Sequence, residues 1–228
     1  VLHVWHESRN IRGSSTVEFV PTETIVSKPK QPGIVWAMYG FDAQRLRVAN
    51  GISLAPPFRT AWTFHAHSLI EFPPAVAYGR LFFADNAGVV FALSAKTGKP
   101  AWRVAADRCQ AVSPAVGFNT VYMAFLNPPP CNASSGVGEI VAYSASTGKV
   151  RWSHLIGPSE TSPLLEGDQV YVGDWNGYVY CYDAHNGHLI WRFASNGKVK
   201  GGLAYNAGRV YFGTYGSSVY ALDARTGH

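Results

Sequence analysis

Ala142-Tyr-Ser-Ala-Ser-Thr-Gly-Lys-Val-Arg-Trp152 decides the fold, because it recurs. Ala92-Leu-Ser-Ala-Lys-Thr-Gly-Lys-Pro-Ala-Trp102 and Cys181-Tyr-Asp-Ala-His-Asn-Gly-His-Leu-Ile-Trp191 share its length and punctuation, and Ala221-Leu-Asp-Ala-Arg-Thr-Gly227 begins a further copy that stops before its Trp. Self-similarity at a period of tens of residues fixes an architecture ahead of local propensity. Upstream of the copies lie alternating runs, Leu81 to Ala84, Val121 to Ala124, Val170 to Gly173 and Val210 to Gly213. A turn and a second run then lead into the motif. Asp85-Asn-Ala-Gly88, Asp174-Trp-Asn-Gly177 and Thr214-Tyr-Gly-Ser217 are good hairpin sequences. A short strand opened by Pro74, Pro114, Pro163 or Leu203 precedes each run.

Each unit is thus four short strands in about 40 residues, the blade of an all-β propeller of four-stranded antiparallel sheets. Such a sheet cannot fold alone, but packing face to face with the next blade buries its apolar faces around a common axis. Thr-Gly supplies the tight turn into the outermost strand, where Gly accepts a positive φ. The Trp that follows is a flat ring suited to the seam between blades, its indole N–H reaching a backbone carbonyl. Trp102, Trp152 and Trp191, with Trp62 on an extra strand from Phe58 to Phe64, are therefore read as structural docking residues. The chain then supplies three full blades, a partial fourth, and one outer strand to spare. Either it is a fragment of a ring of about seven or eight blades, or the Trp62 strand finishes the fourth blade of a smaller ring. Val1 in place of Met and the break inside a motif favour the fragment.

Composition agrees with a β-rich domain. The 228 residues are 47% hydrophobic and include 23 Gly and 14% aromatic residues, which excludes disorder for most of the chain. No apolar run is long enough to span a bilayer as a helix. The net charge of +5 is scattered, without the basic run that would argue for nucleic acid. Residues 1–35 are polar and punctuated by Pro, the composition of a linker, and 36–228 form the propeller portion, with Trp36-Ala-Met-Tyr-Gly-Phe-Asp42 as a short lead-in.

The repeat resembles the pyrroloquinoline-quinone-type propeller repeat, whose docking signature reads A-x-D-x-x-T-G-x-x-x-W. Ala92, Thr97, Gly98 and Trp102 match it, as do Ala142, Thr147, Gly148 and Trp152, and Ala221, Asp223, Thr226 and Gly227. Ser94 and Ser144 replace the Asp, and Cys181 and Asn186 replace the Ala and Thr of the third copy. The resemblance implies the fold more strongly than an activity, because the family includes quinone-dependent dehydrogenases, a lipoprotein of outer-membrane barrel assembly, and cofactor-free sensors and scaffolds. A quinone dehydrogenase would carry a Trp floor, adjacent half-cystines and calcium ligands, and no such set can be matched here. The expectation is a non-catalytic, cofactor-free, extracytoplasmic scaffold, sensor or binding module, periplasmic or at the cell surface, tethered to a membrane by a segment upstream. The alternative is an incomplete piece of a quinoprotein dehydrogenase.

Ligands of propellers usually sit at the channel mouth, on the loops leading into the innermost strands. Aligning the copies there puts Glu71, Ala111, Glu160 and Lys200 at one equivalent position, so Glu71, Glu160 and Lys200 are the expected binding residues for a protein or envelope ligand. Glu160 and Lys200 belong to neighbouring blades and could equally form a bridging ion pair. His65 and His67 alternate on one strand face and would need a third partner to hold zinc, so no metal site is expected. Of the three cysteines, Cys109 and Cys131 lie in loops of the second blade, Cys131 in the long insertion Asn127 to Gly138. They are expected to form a disulfide and Cys181 to remain a buried thiol.

Overall fold

The computed structural model describes residues 35–49, 55–131 and 136–228, so the expected linker lies outside the described residues except for Val35. Fifteen strands form four antiparallel sheets, and no helix occurs among the described residues. The first sheet contains β1 (Ala75–Ala77), β2 (Arg80–Ala84), β3 (Val89–Ser94) and β4 (Pro100–Ala105) in sequence order. The second contains β5 (Ala115–Gly117), β6 (Thr120–Phe125), β7 (Gly138–Ser144) and β8 (Val150–Ile156). The third contains β9 (Leu164–Glu166), β10 (Gln169–Gly173), β11 (Tyr178–Asp183) and β12 (Leu189–Ala194). The fourth has only β13 (Ala204–Asn206), β14 (Arg209–Gly213) and β15 (Val219–Asp223). These are the blades of a propeller, and their innermost strands β1, β5, β9 and β13 neighbour one another in that order.

Strand position explains strand composition. β6, Thr-Val-Tyr-Met-Ala-Phe, is buried along its whole length because blades cover both of its faces, whereas the outer strand β8 alternates, with Trp152 and Ile156 inward and Arg151 and Ser153 outward. The innermost hairpins close with two-residue loops. Tyr78–Gly79, Phe118–Asn119 and Ala207–Gly208 each have positive φ at both positions, the geometry that matches strand twist.

The seams repeat one arrangement. The indole N–H of Trp62, Trp102, Trp152 and Trp191 donates to the carbonyl of Ala95, Ala145, Ala184 and Ala224, at 3.0, 3.0, 3.2 and 2.8 Å. In the same order, the rings lie against Gly98, Gly148, Gly187 and Gly227 of the next motif, all at positive φ, and a Cβ on any of these glycines would meet an indole carbon within 2.8 Å. Each seam thus needs glycine twice, for its backbone angle and for its missing side chain.

Phe58 to Phe64 differs from expectation. It forms no ladder, and β15 has no strand paired on its outer side among the described residues. Trp62 nevertheless occupies toward the first blade the place that Trp102 occupies toward the second. Trp62, Phe64 and Ala66 pack onto Phe83, Phe91 and Leu93, while His65 and His67 point outward along a groove beside Pro100–Arg103.

The segment from Trp36 is more than a lead-in. Trp36 exchanges backbone hydrogen bonds of 2.7 Å with Val76 of β1, the Ala37 carbonyl accepts from Val116 of β5 at 2.7 Å, and the Ala43 carbonyl accepts from Tyr205 of β13 at 2.8 Å. The Arg45 guanidinium donates to Leu203 at 2.8 Å, to Ser162 and Pro163 at 3.3 Å, and to Tyr39, all at carbonyls. Residues 36–47 therefore run along the axial edges of the innermost strands, pairing groups that a bare channel would leave open. Burial lowers the Arg45 pKa to about 10.

Candidate binding face at the channel mouth

Antiparallel connectivity puts two sets of loops at one end of the blades: those leading into the innermost strands, and the turns between the second and third strands. In the first, third and fourth blades the turn is tied to the lead-in loop by one backbone hydrogen bond. Asn86 donates to Leu69 at 2.8 Å, Trp175 to Pro158 at 2.8 Å, and Tyr215 to Lys198 at 2.9 Å. In the second blade Leu126 and Cys109 pair through 2.9 and 3.1 Å bonds that include Asn127, and Cys109 is bridged to Cys131 with a Cα separation of 5.3 Å. Cys181 is buried, and burial pushes its thiol up to about 12, so it is inert at neutral pH.

Buried carboxylates fix the turns. Asp174, fully buried, accepts from the backbone of Gly157 and Tyr178 and from the Tyr180 hydroxyl at 2.8 to 2.9 Å; Asp85 caps its own turn through Val89 at 3.0 Å. Burial first, then the neighbouring carboxylate, raises the Tyr180 phenol far above its usual range. Beneath the mouth a chain of bonds links the blades. Ser113 Oγ donates to Pro73 at 2.9 Å, Ser113 N donates to Ser162 Oγ at 3.0 Å, and Arg45 joins the third blade to the fourth.

The three residues expected to line the mouth separate into a pair and a single. Lys200 Nζ lies 2.7 Å from Glu160 Oε2, each side chain more than a quarter exposed, whereas Glu71 accepts from Asn86 of its own blade at 3.3 Å. Sequence reasoning missed the aromatic partners. Lys200 Nζ stands 4.5 Å from the centre of the Trp175 ring and 5.5 Å from that of Tyr215, and Lys198 Nζ stands 5.1 Å from that of Trp175. The Trp175 indole N–H is buried without a hydrogen-bond partner among the described residues. In the sequence Trp175 reads only as part of a hairpin turn. Its distinguishing signal is that, alone among the five Trp from Trp62 onward, it belongs to no seam motif.

No cluster of three or more His, Cys, Asp or Glu able to hold a metal ion occurs among the described residues, His65 and His67 included. The pyrroloquinoline-quinone set does not fit these residues. The chain has no adjacent cysteines, and of the aromatic rings at the mouth Trp175 is engaged by two ammonium groups and Tyr215 by one.

Comparison with known proteins places this geometry. The family described as outer membrane protein assembly factor BamB (PQQ_2) matches residues 57–162 and 137–228. The outer membrane protein assembly factor BamB of Taylorella asinigenitalis is 36% identical over 59 residues, covering 25% of this chain and 15% of that protein. The quinohemoprotein alcohol dehydrogenase of Pseudomonas putida is 28% identical over 199 residues, covering 74% and 26%. The crystal structure of BamB from Moraxella catarrhalis superposes with a TM-score of 0.63 at 18% identity, covering 74% of this chain and 51% of that one, a likeness of fold. The chain spans 15 to 41% of the length of the curated relatives it matches.

Proposed function

Because the chain belongs to the PQQ-like repeat family described as outer membrane protein assembly factor BamB, we propose that it is a non-catalytic, extracytoplasmic propeller that binds an envelope protein on its mouth-side face. Glu71, Glu160 and Lys200 lie on that face and would contact the partner. The observation that carries this reading is a contrast between the two ends of the blades. At the far end the exposed aromatic turn residues, Tyr78 at 55% and Phe118 at 43%, are each engaged by the next blade: the Tyr78 hydroxyl accepts from Asn119 N at 3.0 Å, and Phe118 packs on His185 with ring centres 4.4 Å apart. At the mouth Leu69 and Val137 are 62 and 48% exposed and differ from blade to blade. Exposed apolar groups rimmed by charge are what a protein partner covers. The disulfide among the mouth loops supports an oxidising compartment, and the similarity to an outer membrane protein assembly factor supports a protein partner.

The test is photocrosslinking in intact cells, with a photoreactive amino acid at Leu69, Val137 or Tyr215 of the full-length protein and, for comparison, at Tyr78 or Val150. The expected result is one envelope protein captured from the mouth positions only. Capture from the far end alone, or quinone-dependent alcohol oxidation by the purified protein, would overturn the proposal.

A further inference from the structure

The geometry points to a docking site for an extended acidic segment of the partner polypeptide, one with carboxylates at alternate positions, in the sector of the mouth between the third and fourth blades. This rests on the mouth-side face being the binding face and names what part of it recognises.

Charge is the first argument. In this sector Lys198, Lys200, Arg45 and Arg47 stand against Glu160 and Asp42. Of these four cations, only Lys200 has a carboxylate of the described residues within ion-pair distance. Arg45 is satisfied by carbonyls alone, and Arg47 donates to the Tyr39 hydroxyl at 2.6 Å. The two halves of the sector adjoin, since a Cβ placed on Gly202, two residues beyond Lys200, would lie 3.8 Å from the Tyr39 ring. A cluster of cations beside a low-dielectric wall attracts an anion more strongly than the same charges dispersed in water.

Spacing is the second argument. Lys198 and Lys200 flank the fully buried Val199, and both ammonium groups reach the Trp175 ring rather than the interior. Alternate side chains of an extended chain repeat every ~6.6 to 7 Å, and a partner segment of the form Glu-x-Glu carries the same repeat. Lys200 is held in place by Glu160, Trp175 and Tyr215, so its position is set before a ligand arrives. Lys198 is braced by Trp175 alone.

The experiment titrates the folded protein into three fluorescent ten-residue peptides: alternating Glu and Val, the same composition with the glutamates in one block, and alternating Lys and Val. Phosphatidylglycerol vesicles are titrated in parallel. The alternating acidic peptide should bind best and weaken with salt. Lys198→Gln leaves the Glu160–Lys200 pair intact and should weaken binding about fivefold, the size of one exposed charge contact, while Lys149→Gln at the far end should change nothing. Tyr215→Ala gives a second, uncharged disruption. Equal binding of the alternating and blocked peptides, no effect of Lys198→Gln with that variant folded by circular dichroism, or vesicle binding as the only activity lost in Lys198→Gln would each overturn the inference. Crosslinks from Tyr215 to an envelope protein with no peptide binding would sink this inference alone, whereas crosslinks confined to the far end would sink the reading beneath it.

Discussion

The outer rim and the mouth of the same blades obey opposite rules. At the rim a Trp, an Ala carbonyl and a Gly recur at four seams with indole bonds between 2.8 and 3.2 Å. At the mouth equivalent positions hold Glu71, Ala111, Glu160 and Lys200, and equivalent turns hold Asn86, a disulfide-bonded insertion, Trp175 and Tyr215. Stacking demands sameness, because each blade must present to the next the surface it received from the last. Recognition has no such constraint, and the turn positions diverge even though they touch the next blade.

The sharpest way to break the rim is a methyl group in the wrong place. Gly148→Ala puts a Cβ 2.8 Å from Trp102 at a φ of 73°, so the left-handed backbone and the clash add to a loss of about 4 kcal/mol. Gly79 has a similar φ, 68°, and nothing within 4 Å of its would-be Cβ, so Gly79→Ala should cost only the backbone part, about 1 to 2 kcal/mol. Urea denaturation of the pair separates the seam from the angle. Equal losses would show that the indole yields.

A smaller effect is expected at the mouth. Cys131→Ser opens a loop of sequence separation 22 and should reduce stability by about 3 kcal/mol in urea denaturation, as should reduction of the unmodified protein. A loss below about 1 kcal/mol would mean that the insertion is fixed by its hydrogen bonds alone.

The smallest effect mends the rim where it departs from its own pattern. Asp183 Oδ1 accepts from the backbone of His185 and Asn186 at 2.8 and 3.0 Å, and Asp223 Oδ1 accepts from Arg225 and Thr226 at 3.1 and 2.8 Å. The Ser94 hydroxyl accepts one bond, from the backbone of Thr97 at 3.3 Å. Ser94→Asp should therefore raise stability by about 0.5 to 1 kcal/mol in thermal or urea unfolding, and a loss would show that the first motif is built around the hydroxyl.

Legibility in the sequence follows the same division. The blade was readable because its punctuation is repeated, so that Thr147-Gly148 and Trp152 explain Thr97-Gly98 and Trp102, and the innermost strands lie within a residue or two of where Pro74, Pro114, Pro163 and Leu203 put them. The Cys109–Cys131 bridge was readable because both residues fall in loops of one blade. The mouth was only half readable. Alignment brought Glu160 and Lys200 to one level and left a bridging pair open, which the structure contains. Trp175 and Lys198 escaped notice because their contact exists only after two blades dock, and no periodicity within a blade encodes it. The run from Trp36 to Arg47 has no second copy to be compared with, and the carbonyls that hold Arg45 are scattered over distant parts of the chain.

That run also changes how the array comes apart. A row of repeats joined only to its neighbours unfolds from its ends, each unit fraying on its own terms. Here residues 36–47 bond to strands of the first, second and fourth blades, and Arg45 adds the third across 117 residues and the fourth across 158. To detach the fourth blade is to strip the axial segment from Tyr205 and Leu203, and with it the tie to Val76 at the opposite end of the row. The blades are stitched in series along their seams and in parallel along their axis. Melting should thus be one cooperative event, with intermediates that lose single blades suppressed.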